Sequence, residues 1–113
     1  MNGKYTAIGL MSGTSLDGVD AVLLETDGEK HMVHKKSYYK AYTPEFRAQM
    51  QRLAKEDLPL LDMLRLEQKL THEHAEAVKG LLNEAFLTAK DVDVIGFHGQ
   101  TIRHLPDEGL TLQ

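Results

Sequence analysis

Cysteine is absent from the 113 residues. Its absence removes disulfides, thiolate nucleophiles and cysteine-ligated zinc together, and fits a reducing compartment. Histidine and carboxylate remain as metal ligands. No apolar stretch approaches the roughly 20 residues that a membrane-spanning helix needs. Met1-Asn2-Gly3-Lys4 leads into a strand-like run instead of the apolar region of a secretory signal. A cytoplasmic protein without a membrane partner is therefore expected. Basic clusters are missing too: 13 Lys and Arg stand against 17 Asp and Glu, a formal charge of −4, and the densest basic pair is Lys35-Lys36. Nucleic acid is not expected as a partner, because neutralising phosphates takes clustered cations. No repeat, low-complexity tract or linker marks a boundary between two complete domains. What is present, 42% hydrophobic and 27% charged residues, suits one small folded unit with a modest core.

Along the chain, Tyr5 to Met11 is an apolar, β-compatible run. The small, polar stretch Ser12-Gly13-Thr14-Ser15-Leu16-Asp17-Gly18 follows, and then Val19 to Glu25 reads as a second strand. Asp27-Gly28 signals a hairpin into a third strand between Lys30 and Tyr42. Thr43-Pro44 has the form of a helix N-cap with proline at the first helical position, and Phe46, Met50, Leu53 and Ala54 recur at helical spacing. A longer helix is predicted from Asp57-Leu58-Pro59 towards Leu87. Gly80 and the polar stretch Gln68 to Glu76 interrupt any heptad seam and predict a kink or break. Val92 to Phe97 reads as a strand, and the helical crossover before it predicts a parallel neighbour in the same sheet. The chain finishes as strand, turn and opening strand over Thr101 to Gln113. The pattern is α/β, three antiparallel strands followed by helices and a parallel strand. The expectation is that residues 1–113 are the N-terminal part of a longer domain.

The strongest chemical signal is Met11-Ser12-Gly13-Thr14-Ser15-Leu16-Asp17-Gly18-Val19-Asp20. A glycine- and hydroxyl-rich turn between two strands can cradle phosphate: glycine admits close approach, successive amides form an anion-binding concavity, and Thr14 and Ser15 can donate. Asp17 and Asp20 could reach a hydrated magnesium ion. The same composition equally suits a turn that satisfies only its own backbone. The Walker pattern Gly-x-x-x-x-Gly-Lys-Ser/Thr is absent, and no helix follows the turn directly. The Gly-x-Ser-x-Gly frame is absent as well, which weighs against a hydrolase using Ser12 or Ser15 with His98.

Two stretches together, Gly9 to Asp20 and Ile95-Gly96-Phe97-His98-Gly99-Gln100-Thr101-Ile102-Arg103-His104, resemble the anhydro-N-acetylmuramic acid kinase family over essentially the whole chain. The resemblance implies the sugar kinase, Hsp70 and actin superfold, whose ribonuclease-H-like half begins with three antiparallel strands. It implies an enzyme of bacterial cell-wall recycling that uses ATP and Mg2+. That enzyme opens the 1,6-anhydro ring of the amino sugar and phosphorylates it to N-acetylmuramic acid 6-phosphate. By the resemblance, Gly13, Thr14, Ser15, Leu16, Asp17, Gly18, Val19 and Asp20 would face the ATP phosphates. Where many members of the superfold carry an aspartate ahead of the glycine, this chain has Met11. His98, Gln100 and Thr101 would lie near the sugar, at the carboxyl end of the parallel strand where open α/β sheets form crevices. Read without the resemblance, Gly99 turns the chain, His98 satisfies a backbone group and Arg103 is exposed. The resemblance also implies a homodimer, and places the catalytic base beyond Gln113. The isolated chain would then not turn over, because nothing closes over the turn to orient ATP and exclude water.

The other residues carry less. His31 and His34 fall on the third strand; His72 and His74, two apart on a helix, point to different faces and make a poor metal pair. Tyr38 and Tyr39 fall on opposite strand faces, so packing is the expected role of Tyr38, Tyr39 and Tyr42. Two other functions stay open: a non-catalytic phosphate-binding or interaction fragment of the same fold, and a carboxylate-metal nuclease using Asp17, Asp20 and Asp93, the last placed inside its strand.

Overall fold

A computed structural model describes residues 3–13 and 15–113; Met1, Asn2 and Thr14 lie outside the described residues. The expected strand order is present. Strands β1 (Tyr5–Met11), β2 (Gly18–Thr26) and β3 (Met32–Ala41) form an antiparallel meander, and β4 (Val94–Phe97) joins the sheet parallel to β1, giving the order β3-β2-β1-β4. Between β3 and β4 come helices α1 (Pro44–Lys55) and α2 (Leu60–Glu84) and the short turn Ala89–Asp91. Strands β5 (Arg103–Leu105) and β6 (Leu110–Leu112) pair as a separate hairpin.

Local chemistry explains each junction. The β2–β3 connection is wider than the two-residue Asp-Gly turn its sequence suggests. The Asp27 carboxylate accepts from the backbone N–H groups of Glu29, Lys30 and His31 at 2.8, 3.0 and 3.0 Å, and Gly28 takes φ +84°. Those three bonds hold the Asp27 carboxyl below its ordinary range. Thr43 Oγ1 accepts from the Phe46 amide at 3.1 Å and Pro44 opens α1, as predicted. At the other end of α1, Arg103 is not simply exposed. Its Nη2 donates to the carbonyls of Leu53 and Glu56 at 3.0 and 2.7 Å, and its Nη1 pairs with Asp57 at 2.6 Å. A guanidinium so placed satisfies carbonyls that the last helical turn leaves without partners.

Helix α2 runs 25 residues without the expected break. Its buried positions, Leu66, Leu70, His74, Ala77 and Leu81, keep one continuous stripe through the polar stretch. Gly80 has a packing reason instead of a breaking one: a Cβ there would stand 2.3 Å from Tyr38 Cζ, so helix and strand approach only because no side chain intervenes. Ile8, Leu10, Val19, Ala21 and Leu23 from the sheet meet Phe46, Met50 and Leu53 of α1 and the α2 stripe in a single core. That core covers one sheet face. On the other face the register aligns Met11, Asp20 and Tyr39, with Met11 58% and Tyr39 49% exposed. Asp93 lies ahead of β4, not inside it: it exchanges two backbone-level bonds with Thr6, Oδ2 from the Thr6 amide and its own amide to the Thr6 carbonyl, both 2.8 Å.

Candidate functional site

The parallel ladder assembles the site. Ala7, Ile8, Gly9 and Leu10 pair with Val94, Ile95, Gly96 and Phe97. The same separation of 87 residues continues past the strand ends, where Ser12 meets Gly99 and Gly13 meets Gln100. The two sequence motifs are thus neighbours because one register carries both. Ser12, buried, donates from Oγ to the Gly99 carbonyl at 3.0 Å. Gln100 is 1% exposed; its Nε2 donates to the Gly13 carbonyl at 2.9 Å and its Oε1 accepts from the Tyr42 hydroxyl at 3.4 Å.

Further bonds hold the turn in shape. The Leu16 amide donates to the Gly13 carbonyl at 3.2 Å, and Leu16, buried, has φ +59°. A left-handed conformation at a residue with a bulky side chain is strained, and it persists where surrounding contacts over-determine it. The Tyr42 amide donates to the Asp17 carbonyl at 2.8 Å, while its ring meets Phe46 edge-on at 4.9 Å. Burial, the largest cause, pushes the Tyr42 hydroxyl up to about 12. Arg47 of α1 pairs with Asp17 at 2.9 Å and reaches the Ser15 carbonyl at 3.5 Å.

The expected site residues divide by what their side chains do. Gly13, Ser15 and Asp17 are exposed. Thr14 lies outside the described residues. Leu16 and Val19 belong to the core. Gly18 makes room for β3: a Cβ there would meet the Lys40 carbonyl at 2.3 Å. Asp20 stands on the sheet face opposite the core, in register with Met11 and Tyr39, whereas Asp17 is engaged by Arg47. No group of three His, Asp or Glu side chains able to hold a metal ion occurs among the described residues. In the second motif, His98 is exposed and Gln113 Nε2 donates to its carbonyl at 2.7 Å, Thr101 is half-buried, and Gln100 faces inward. An apolar groove of about 550 Å³ runs beside His98, Gly99 and Gln100, walled by Met50, Leu70 and Phe97 among others.

Three residues that complete this arrangement were not expected there: His74, Tyr42 and Arg47. For His74 the signal was available in the spacing, since it falls between Leu70 and Ala77 on the apolar stripe. Tyr42 and Arg47 reach the turn only through tertiary placement of β3 and α1.

Fold and site together define a mixed α/β domain in which a glycine- and serine-rich turn is clamped to the loop leaving a parallel strand. Residues 5–113 match the model of the anhydro-N-acetylmuramic acid kinase family, and the chain belongs to that family. Proteins named anhydro-N-acetylmuramic acid kinase are similar to it throughout. The one from Rhizobium etli is 46% identical over 115 residues, covering 96% of this chain and 31% of the relative. That from Methylobacterium nodulans is 44% identical over 125 residues, covering 95% and 33%, and that from Brucella canis 46% over 114 residues, covering 95% and 31%. The chain spans about a third of the length of the curated relatives it matches.

Proposed function

We propose that this chain supplies the phosphate-facing turn and part of the sugar-facing wall of an ATP-dependent kinase acting on 1,6-anhydro-N-acetylmuramic acid, with the sheet forming the start of a ribonuclease-H-like half. The observation that carries the reading is the 87-residue register that brings Ser12 and Gly13 against Gly99 and Gln100. A turn and a strand-end loop held at fixed spacing can present a phosphate donor to a sugar acceptor. Family membership supports the choice of reaction.

In that reaction water attacks the anomeric carbon, the C1–O6 bond breaks, and O6 takes the γ-phosphoryl group of ATP while the water's proton goes to a base. Positioning and charge stabilisation dominate such a barrier. Gly13 and Ser15, both exposed, face the phosphates, and Arg47 holds the Asp17 carboxylate. His98 and Thr101 face the sugar, and Gln100, with both amide ends occupied, braces the turn from behind. No step is assigned to a metal ion held by this chain, and the base is assigned to none of its residues. Work in the cytoplasm, and pairing of the kinase as a homodimer, complete the proposal. By itself the 113-residue chain binds without turnover, since one sheet face and the turn stay open to water.

The test is coupled ADP release with ATP, magnesium and the anhydro sugar. It compares the 113-residue chain with a hybrid in which these residues replace the matching third of the Rhizobium etli relative. Sugar-dependent ADP release by the hybrid alone is expected. A folded hybrid that binds ATP but releases no ADP overturns the assignment, and turnover by the 113 residues overturns their dependence on further structure.

A further inference from the structure

The buried stripe of α2 is aliphatic except at one place. Leu66, Leu70, Ala77 and Leu81 flank His74, which is 1% exposed. A leucine there would fill space at lower cost, because burying an imidazole forfeits its hydration unless its nitrogens find partners. Here both do. Nδ1 lies 2.8 Å from the Leu70 carbonyl oxygen and Nε2 lies 3.5 Å from Ser12 Oγ. Phe97, the last residue of β4, meets the ring edge-on at 4.6 Å. A single side chain therefore touches α2, the start of the turn and the strand that leads into the second motif.

One hydrogen of this network is fixed by its partner. A carbonyl oxygen only accepts, so Nδ1 carries a hydrogen, and a ring with that one hydrogen presents a lone pair at Nε2. Ser12 has one hydroxyl hydrogen; beside its oxygen lie the Gly99 carbonyl at 3.0 Å, Nε2 at 3.5 Å and the Tyr42 side chain, which also bonds to it. Its hydrogen goes to the Gly99 carbonyl, the shorter contact, and Nε2 stands beside the same oxygen.

We propose that His74 is a positioning residue for the joined motifs: acting through the Ser12 hydroxyl, its bare Nε2 fixes where the Gly99 carbonyl, and with it His98 and Thr101, stand relative to the turn. The proposal rests on the kinase reading for its functional meaning. Its test uses no nucleotide, so a chain that fails to bind ATP counts against the kinase reading alone.

The experiment is heteronuclear NMR on the isotopically labelled 113-residue chain at neutral pH. The wild-type ring is expected to carry its hydrogen on Nδ1. His74→Asn places an amide nitrogen near the Nδ1 position and nothing near Nε2, whereas His74→Gln places an amide oxygen near Nε2. His74→Asn should shift the amide resonances of Gly99, Gln100 and Thr101 in the same directions as Ser12→Ala, with no further shift in the double variant, and His74→Gln should return them to their wild-type positions. A merely space-filling histidine would give equal shifts for Asn and Gln, and that result overturns the proposal. So does a ring hydrogen on Nε2, or a Ser12→Ala chain whose 99–101 resonances stay in place. Should His74→Asn fail to fold, the wild-type ring state together with Ser12→Ala decides the matter by the same criteria.

Discussion

Replacing Gln100 by glutamate changes one group in a buried clamp and leaves its shape intact. In the folded chain the Gln100 amide nitrogen donates to the Gly13 carbonyl at 2.9 Å while the amide oxygen accepts from Tyr42 at 3.4 Å. A protonated glutamate reproduces both bonds, its O–H replacing the N–H. An ionised one sets a carboxylate oxygen against the Gly13 carbonyl with no hydrogen between them, at a position 1% exposed. Burial and this repulsion both raise the folded-state pKa above its unfolded value of about 4.3. A rise of two to three units corresponds to about 3–4 kcal/mol. The sign follows from linkage: the folded state binds the extra proton, so stability is complete below about pH 4 and is lost as pH rises towards about 7. At pH 8 the loss is a large share of the roughly 5–15 kcal/mol that holds a domain together. Gln100→Leu, which removes both bonds without adding a charge, should lose about 1–3 kcal/mol at every pH. Urea unfolding followed by circular dichroism from pH 5 to 8 reads both variants. A Gln100→Glu chain whose deficit stays flat within about 0.5 kcal/mol across that range, the spread of an ordinary surface substitution, refutes the clamp.

Three further expectations follow from the fold. Gly80→Ala must push the Tyr38 ring aside, at about 1–3 kcal/mol for overpacking less roughly 1 for improved helix propensity. The net loss should be up to about 2 kcal/mol and should turn into a gain in a Tyr38→Ala background, as a double-mutant cycle in urea would read. The Asp27 carboxyl, held low by backbone donors, contributes stability that is present above the ordinary carboxylate range and fades as pH falls through the lowered value. Asp27→Ala should therefore show a shallower decline of stability on acidification from pH 5 to 2 than wild type, and an unchanged slope would contradict the turn described. Among the four tyrosines, Tyr42 should ionise last, near 12. Ultraviolet titration of wild type against Tyr42→Phe would show it, and stability should fall between about pH 10 and 12 because only the unfolded chain ionises there readily.

Much of the fold was legible because its signals are local. Thr43-Pro44 caps α1 by its own chemistry, and alternation in β1 and β2 needs no partner to be read. The parallel pairing of β4 followed from the length of the connection before it. What escaped depends on contacts between distant segments. Asp93 was expected within its strand and instead closes against Thr6. Arg103 was read as exposed and instead caps α1 from 46 or more residues away. Gly80 looked like a helix breaker because the ring it accommodates lies on another element. In the site, spacing marked the two motifs, and nothing in it could say that Gln100 would turn inward to Gly13 while Asp17 would turn to Arg47. Paired with His72, His74 reads only as a poor metal ligand, whereas its spacing from Leu70 and Ala77 puts it on the core stripe.

The constant separation of 87 residues along β1 and β4 also sets an order of events during folding. Contacts between β1 and β2, or β2 and β3, close short loops and can form early, whereas joining the two motifs closes a loop that contains both hairpin connections and both helices. Loop closure of that length carries the largest entropic cost in the sheet, and long-range parallel pairing is slow for the same reason. On a ribosome, a nascent chain whose residue 97 is still inside the exit tunnel has no β4 to pair with β1, so the two motifs cannot meet. The turn and its partner loop come into being together, in the last pairing step, and a chain that stalls before that step exposes an unpaired β1 edge instead of a half-formed centre.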